Sequence, residues 1–123
     1  MPETTDSEIV NLPSALQYQP KSVISRVLLK NAGGTITLFA FDQGEGLSEH
    51  KTPYDAFVTI IEGEAKIRIA DQQHHLKTGD SLILPADIPH AVDAPTQFKM
   101  LLTMIKSPKT EANQPAAQVP SPS

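Results

Sequence analysis

The sequence contains no cysteine and no tryptophan, and aromatic residues fill only 5% of its 123 positions. Without cysteine there can be no disulfide, no thiolate nucleophile and no Cys-type zinc site, and the composition suits a reducing compartment. The scarcity of aromatics leaves packing to aliphatic side chains. At 39% hydrophobic overall, these suffice for a single core in a single domain. Cations are also short: ten Lys and Arg stand against fourteen Asp and Glu, a formal charge of -4. Phosphate-backbone binding needs clustered Lys and Arg, so nucleic acid is not an expected partner. No apolar run approaches the roughly 20 residues of a membrane span, so no membrane partner is expected either. The opening "MPETTDSEIV" is acidic and polar, unlike a secretory signal. Together these exclusions predict a cytoplasmic protein.

Proline is the residue in good supply, and it marks the borders. Four of the eleven prolines lie in "SPKTEANQPAAQVPSPS", which predicts a disordered, Pro-rich tail over 107–123. Residues 1–21 read as partly ordered, with Ile9, Val10, Leu12 and Leu16 as anchors. The domain proper is expected over 22–106. There, "SVISRVLL" and "TITLFAF" flank "KNAGG", a hairpin signal. "AFVTIIEGEAKIRIA" reads as two short strands around Glu62-Gly63, and "QHHL", "SLILP", "HAVDA" and "FKMLLTMIK" as further strands. "GEGLSEHKTPYDA" reads as a loop carrying His50. Short strands at close spacing with no helical period predict an all-β sandwich or barrel.

Two spacings stand out. Gly44 is followed at fixed intervals by His50, Thr52, Ala56 and Gly63; Gly79 is followed by Pro85, Asp87, His90 and Ala94. In this the sequence resembles the cupin family, whose motifs run Gly…His-x-His…Glu…Gly and Gly…Pro-x-Gly…His…Asn at these intervals. The resemblance covers roughly residues 22–106. It implies a cupin-type jelly-roll β-barrel, often dimeric, with its site in the barrel mouth. Metal-binding members use both His of the first motif, its Glu, and the His of the second. Here Thr52 and Ala56 stand at the second His and the Glu, and Asp87 and Ala94 replace the second motif's Gly and Asn. Only His50 and His90 keep a ligand.

Strand alternation and the motif frame place His50 and His90 in the mouth from neighbouring strands, with Thr52, Tyr54 and Ala56 on its wall. Met100 belongs to an apolar face of the last strand with Phe98, Leu102 and Met104. Such a mouth suits a small, partly apolar molecule, and binding one is the expected function. The alternative is a metal-dependent enzyme of oxygenase, isomerase or lyase type. Imidazole suits a divalent Zn, Ni or Fe, with His74 or Asp55 completing the set. A third possibility is acid–base work by His90 alone. Ser48 has no base and relay around it, which excludes a serine nucleophile. The face of the last strand carrying Gln97, Lys99 and Thr103 is expected to be solvated. The apolar edge "SVISRVLL" predicts a homodimer by strand pairing.

Overall fold

The computed structural model describes residues 7–107. Eight strands carry the chain: β1 (Val23–Asn31), β2 (Gly34–Phe41), β3 (Gly46–His50), β4 (Tyr54–Ile69), β5 (Gln72–Lys77), β6 (Ser81–Leu84), β7 (His90–Asp93) and β8 (Phe98–Lys106). All pairings are antiparallel, in the order β1-β2-β8-β4-β7-β3, with β5 and β6 each paired to β4. This is an all-β jelly roll. The β1–β2 hairpin forms at the expected "NAGG", where Asn31 Oδ1 accepts from the Gly33 N–H at 2.7 Å. Among the described residues no helix is long and apolar enough to cross a membrane.

The two short strands expected around Glu62-Gly63 are one. β4 runs sixteen residues and belongs to both layers of the barrel. Its first half pairs with β8 and β6, and its second half with β5 and β7. The register slips between Ile60 and Glu62, and Gly63 follows with φ +84°. A Cβ at Gly63 would come within 2.1 Å of the Gln97 carbonyl oxygen. The glycine therefore bends a continuous strand past the start of β8; it does not end it.

The stretch before Thr52 is likewise a strand and not a loop. β3 pairs with β7 from Gly46 to His50, with a bulge between Leu47 and His50. Gly46 permits the close approach, since a Cβ there would lie 2.2 Å from the Val92 carbonyl oxygen.

Inside, Phe41 and Phe98 stack with ring centroids 4.4 Å apart. Val58, Ile60, Ala65, Ile67 and Met100 close around them, all fully buried. Outside, the described part of the N-terminal segment crosses the sheet. A 3-10 turn at Leu12–Ser14 is capped by Asn11, whose side chain accepts from the Ser14 N–H. The turn sets Pro13 and then Tyr18 against Lys99. Contrary to the solvated face expected there, Lys99 is 5% exposed. Its Nζ donates to the Pro13 carbonyl, lies 3.6 Å from Glu62 Oε2 and sits 4.8 Å from the centre of the Tyr18 ring. The Tyr18 hydroxyl donates to the same Glu62 oxygen at 2.6 Å. Of the tail expected over 107–123, only Ser107 lies within the described residues, and it is buried.

Candidate functional site

His50 closes β3 and His90 opens β7, and the two are direct cross-strand partners. The approach to His90 is set by Asp87, which occupies the position of a motif glycine and takes φ +62°. Asp is among the few side chains that tolerate this left-handed conformation. The Asp87 N–H donates to the Thr52 carbonyl at 2.7 Å, tying the two motif loops together. Ala94, at the motif's Asn position, is tied by backbone alone: Gly44 N–H donates to its carbonyl at 2.8 Å, and its own N–H donates to Glu45 at 2.9 Å.

The imidazole rings lie edge to face, 4.5 Å between centroids and 69° between planes. Each is held by the backbone two residues before it. His50 Nδ1 lies 2.8 Å from the Ser48 carbonyl oxygen, and His90 Nδ1 lies 3.2 Å from that of Ile88. A carbonyl oxygen can only accept, so both Nδ1 atoms carry a proton, and it is Nε2 that has the lone pair in a neutral ring of this tautomer. Neither Nε2 has a hydrogen-bond partner among the described residues. His90 is 8% exposed, whereas His50 is open to solvent. Burial pushes the His90 pKa below the ordinary imidazole value; the Ile88 carbonyl opposes this and the nearby His50 adds to it. His90 is therefore a neutral base at neutral pH.

Both rings line a narrow cavity of about 40 Å³, together with Thr52 and Ala56 and the apolar side chains of Leu47, Val58, Leu84, Val92, Met100, Leu102 and Met104. Five of the six site residues expected from sequence thus meet there. Tyr54 does not line it. It shares a face with Ala56 but pairs with Lys106 at the far end of β8. Thr52 is already engaged, since its Oγ1 accepts from the Tyr54 N–H at 2.9 Å and lies 3.3 Å from the Tyr54 carbonyl.

The expected third metal ligands lie elsewhere. Asp55 accepts from the Ala86 N–H at 2.9 Å and sits on the outer face beside Phe57 and Ile83. His74 stands opposite Ile67 on β4, away from the cavity lining. Glu49 is paired with Arg68 at 2.8 Å, and His75 with Glu64 at 2.9 Å. Among the described residues no three His, Cys, Asp or Glu are grouped to hold a metal ion. A three-histidine, one-carboxylate centre does not fit these residues. Sequence reasoning missed Leu47, because the bulge after it breaks the parity that would have linked it to His50.

Comparison with known proteins agrees with this architecture. Residues 37–106 match the family described as "Cupin domain". A conserved protein of unknown function from Streptococcus pyogenes superposes with a TM-score of 0.78 at 32% identity, covering 85% of this chain and 91% of that one. A cupin superfamily protein from Desulfitobacterium hafniense gives 0.78 at 31% identity, over 84% and 94%. Protein SchB of Streptomyces halstedii is 40% identical over 48 residues, 38% of this chain and 35% of that protein, so the match spans about a third of the curated relative. With motif spacing, strand order and relatives in agreement, the chain belongs to the cupin family.

Proposed function

We propose that this cupin binds a small molecule at the barrel mouth, through a compact electron-accepting group seated between His50 and His90. One observation carries the reading: two adjacent imidazoles have Nδ1 tied to backbone and, among the described residues, no partner for Nε2. Paired bases of this kind accept hydrogen bonds from an N–H or O–H head, or donate their lone pairs to an ion that such a molecule coordinates. The size of the cavity limits what enters. Pockets for whole drug-sized ligands run to about 300–1,000 Å³, and a cavity of about 40 Å³ takes only a few heavy atoms. The remainder of the ligand would lie over the open His50 side. An enzyme built on Zn, Ni or Fe is less well supported, because His74 and Asp55 are engaged elsewhere.

The test is a titration with small fragments bearing N–H and O–H heads, read at the ring nitrogens by NMR. The Nε2 resonances of His50 and His90 should move together, and His90→Ala should abolish the response. Saturable binding that moves neither nitrogen would place the ligand site elsewhere.

We further propose that the homodimer expected from the sequence forms through a sheet face and not through the β1 edge. Leu29, Ile36, Thr103, Phe57 and Ile83 are successive cross-strand neighbours on the outer face. Ile105 stands between hollows of about 280 and 410 Å³. A ridge beside a hollow is self-complementary about a two-fold axis, so a second copy of this chain fits it.

A further inference from the structure

We infer that Asp55 is the positioning residue of the mouth: through the loop 85–89 it sets the rotation of the His90 ring and so aims Nε2 into the cavity. The inference rests on the preceding reading that the histidine pair receives a ligand. It names the residue outside the cavity that prepares one member of the pair.

The loop begins where a ladder stops. β6 pairs with β4 up to Leu84, opposite Ala56. Pro85 follows and brings no N–H, so that ladder cannot continue past it. The next donor is the N–H of Ala86, a residue only 7% exposed. A buried backbone donor needs a partner, and Asp55 supplies it, its Oδ1 accepting from Ala86 at 2.9 Å. Further along, the Asp87 N–H donates to the Thr52 carbonyl, and the Pro89 carbonyl accepts from the Ala70 N–H at 2.8 Å. Of these three ties the first alone is made by a side chain. There a substitution can loosen the loop and leave its backbone partners in place.

What the loop delivers is a carbonyl. The His90 backbone is paired on both sides, with His50 on β3 and Ile69 on β4, so the sheet places it. The ring is another matter. Its Nδ1 lies 3.2 Å from the Ile88 carbonyl oxygen, and Ile88 belongs to the loop. The hydrogen bond at one ring nitrogen fixes how an imidazole is turned and which nitrogen is left for a ligand. His50 is set differently, by the Ser48 carbonyl within β3. The two adjacent rings therefore have separate supports, and only that of His90 passes through Asp55.

Asp55 does this from outside. It lines the hollow on the outer face with Phe57 and Ile83, and it does not line the cavity of the two imidazoles. The chain of contacts is short: Asp55 holds Ala86, the loop then presents Ile88, and Ile88 turns His90.

The experiment uses the full chain without a polyhistidine tag and compares wild type with Asp55→Leu and Asp55→Asn. Leucine keeps the size of the side chain and removes the acceptor, whereas asparagine keeps an acceptor oxygen. In proton–nitrogen correlation spectra without ligand, Asp55→Leu should shift both ring nitrogens of His90 and leave those of His50 nearly in place. The backbone amides of Ala91 and Val92 on β7 should hold their positions. Asp55→Asn should restore the His90 signals. Titrated with acetamide, which offers an N–H head, Asp55→Leu should bind about tenfold more weakly than wild type, as for the loss of one hydrogen bond. Unmoved His90 nitrogens in Asp55→Leu, no rescue by asparagine, or β7 amides displaced as far as the ring would overturn the proposal. Where Asp55→Leu does not fold, the wild type decides. Scalar coupling across the Ala86–Asp55 and His90–Ile88 hydrogen bonds supports the inference, and the absence of either overturns it. If the His90 ring responds to Asp55→Leu while neither acetamide nor any other N–H or O–H fragment moves Nε2, the binding function falls and the positioning role stands.

Discussion

At one end of the outer face of the β2–β8–β4 layer, Lys99 is 5% exposed; at the other, Ile105 is 54%, Phe57 46% and Ile83 62% exposed. Lys99 and Ile105 lie on one strand with the same parity, so strand alternation treats them alike. The difference comes from what lies on top. Pro13 and Tyr18 cover the lysine, and Glu62 answers its charge. The same face thus buries its cation at one end and bares Phe57, Ile83 and Ile105 at the other, the reverse of what residue type alone dictates.

The comparison can be broken by removing the cover. A chain starting at Ser22 would uncover Lys99 and its buried neighbour Ala40. Its thermal midpoint should fall by about 10 °C or more, as measured by calorimetry. No loss would mean that the segment merely rests on the sheet. Glu62→Ala leaves the buried ammonium without its carboxylate and should cost about 1–2 kcal/mol, since Glu62 is itself partly open to solvent. An unchanged urea midpoint would sink that account of the cluster.

Tyr18→Phe keeps the ring under Lys99 and removes only the hydroxyl, at about 1 kcal/mol. It also carries a pH signature. Burial, and then the Glu62 hydrogen bond and charge, hold the Tyr18 pKa well above its ordinary value. An acid whose pKa is raised on folding stabilises fully below its unfolded value of about 10, and that contribution is lost as pH rises toward the folded value. This part of the alkaline loss should vanish in Tyr18→Phe.

On the bare half, Ile105→Lys should change the stability of the monomer by about 0.5 kcal/mol or less. The mass by light scattering should nevertheless drop from dimer to monomer. A wild type already monomeric at micromolar concentration would refute the second copy.

The strands that announce themselves in the sequence are those with an apolar face between turn residues. β8, with Phe98, Met100, Leu102 and Met104 on one side, is the clearest. β3 gives no such signal, because its last three residues are all exposed and a bulge scrambles its parity. The continuity of β4 was hidden by Gly63, which in one dimension looks the same at a bend as at a turn. Lys99 was misjudged for a different reason: its cover comes from Pro13 and Tyr18, and strand patterning carries no information about so distant a partner. At the mouth, the pairing of His50 with His90 followed from motif spacing. Tyr54 did not follow, because parity gives the face of a strand but not the depth along it.

β4 also governs the order in which the barrel can be made. It pairs with β5, β6, β7 and β8, all of which come later in the chain. During synthesis, the β1–β2 hairpin is the one pair of strands that can close before β4 is complete. The β4–β5 hairpin, which begins at the close pair Ile69 and Gln72, can follow as soon as β5 is made. By contrast, β3 with β7 and β2 with β8 must wait for partners of large sequence separation, as in the slow, millisecond-to-second regime of β-rich domains. His50 emerges long before His90 and stays an isolated imidazole until β7 docks. A ligand of the mouth therefore binds only the finished barrel, and by mass action it should slow unfolding without guiding the nascent chain.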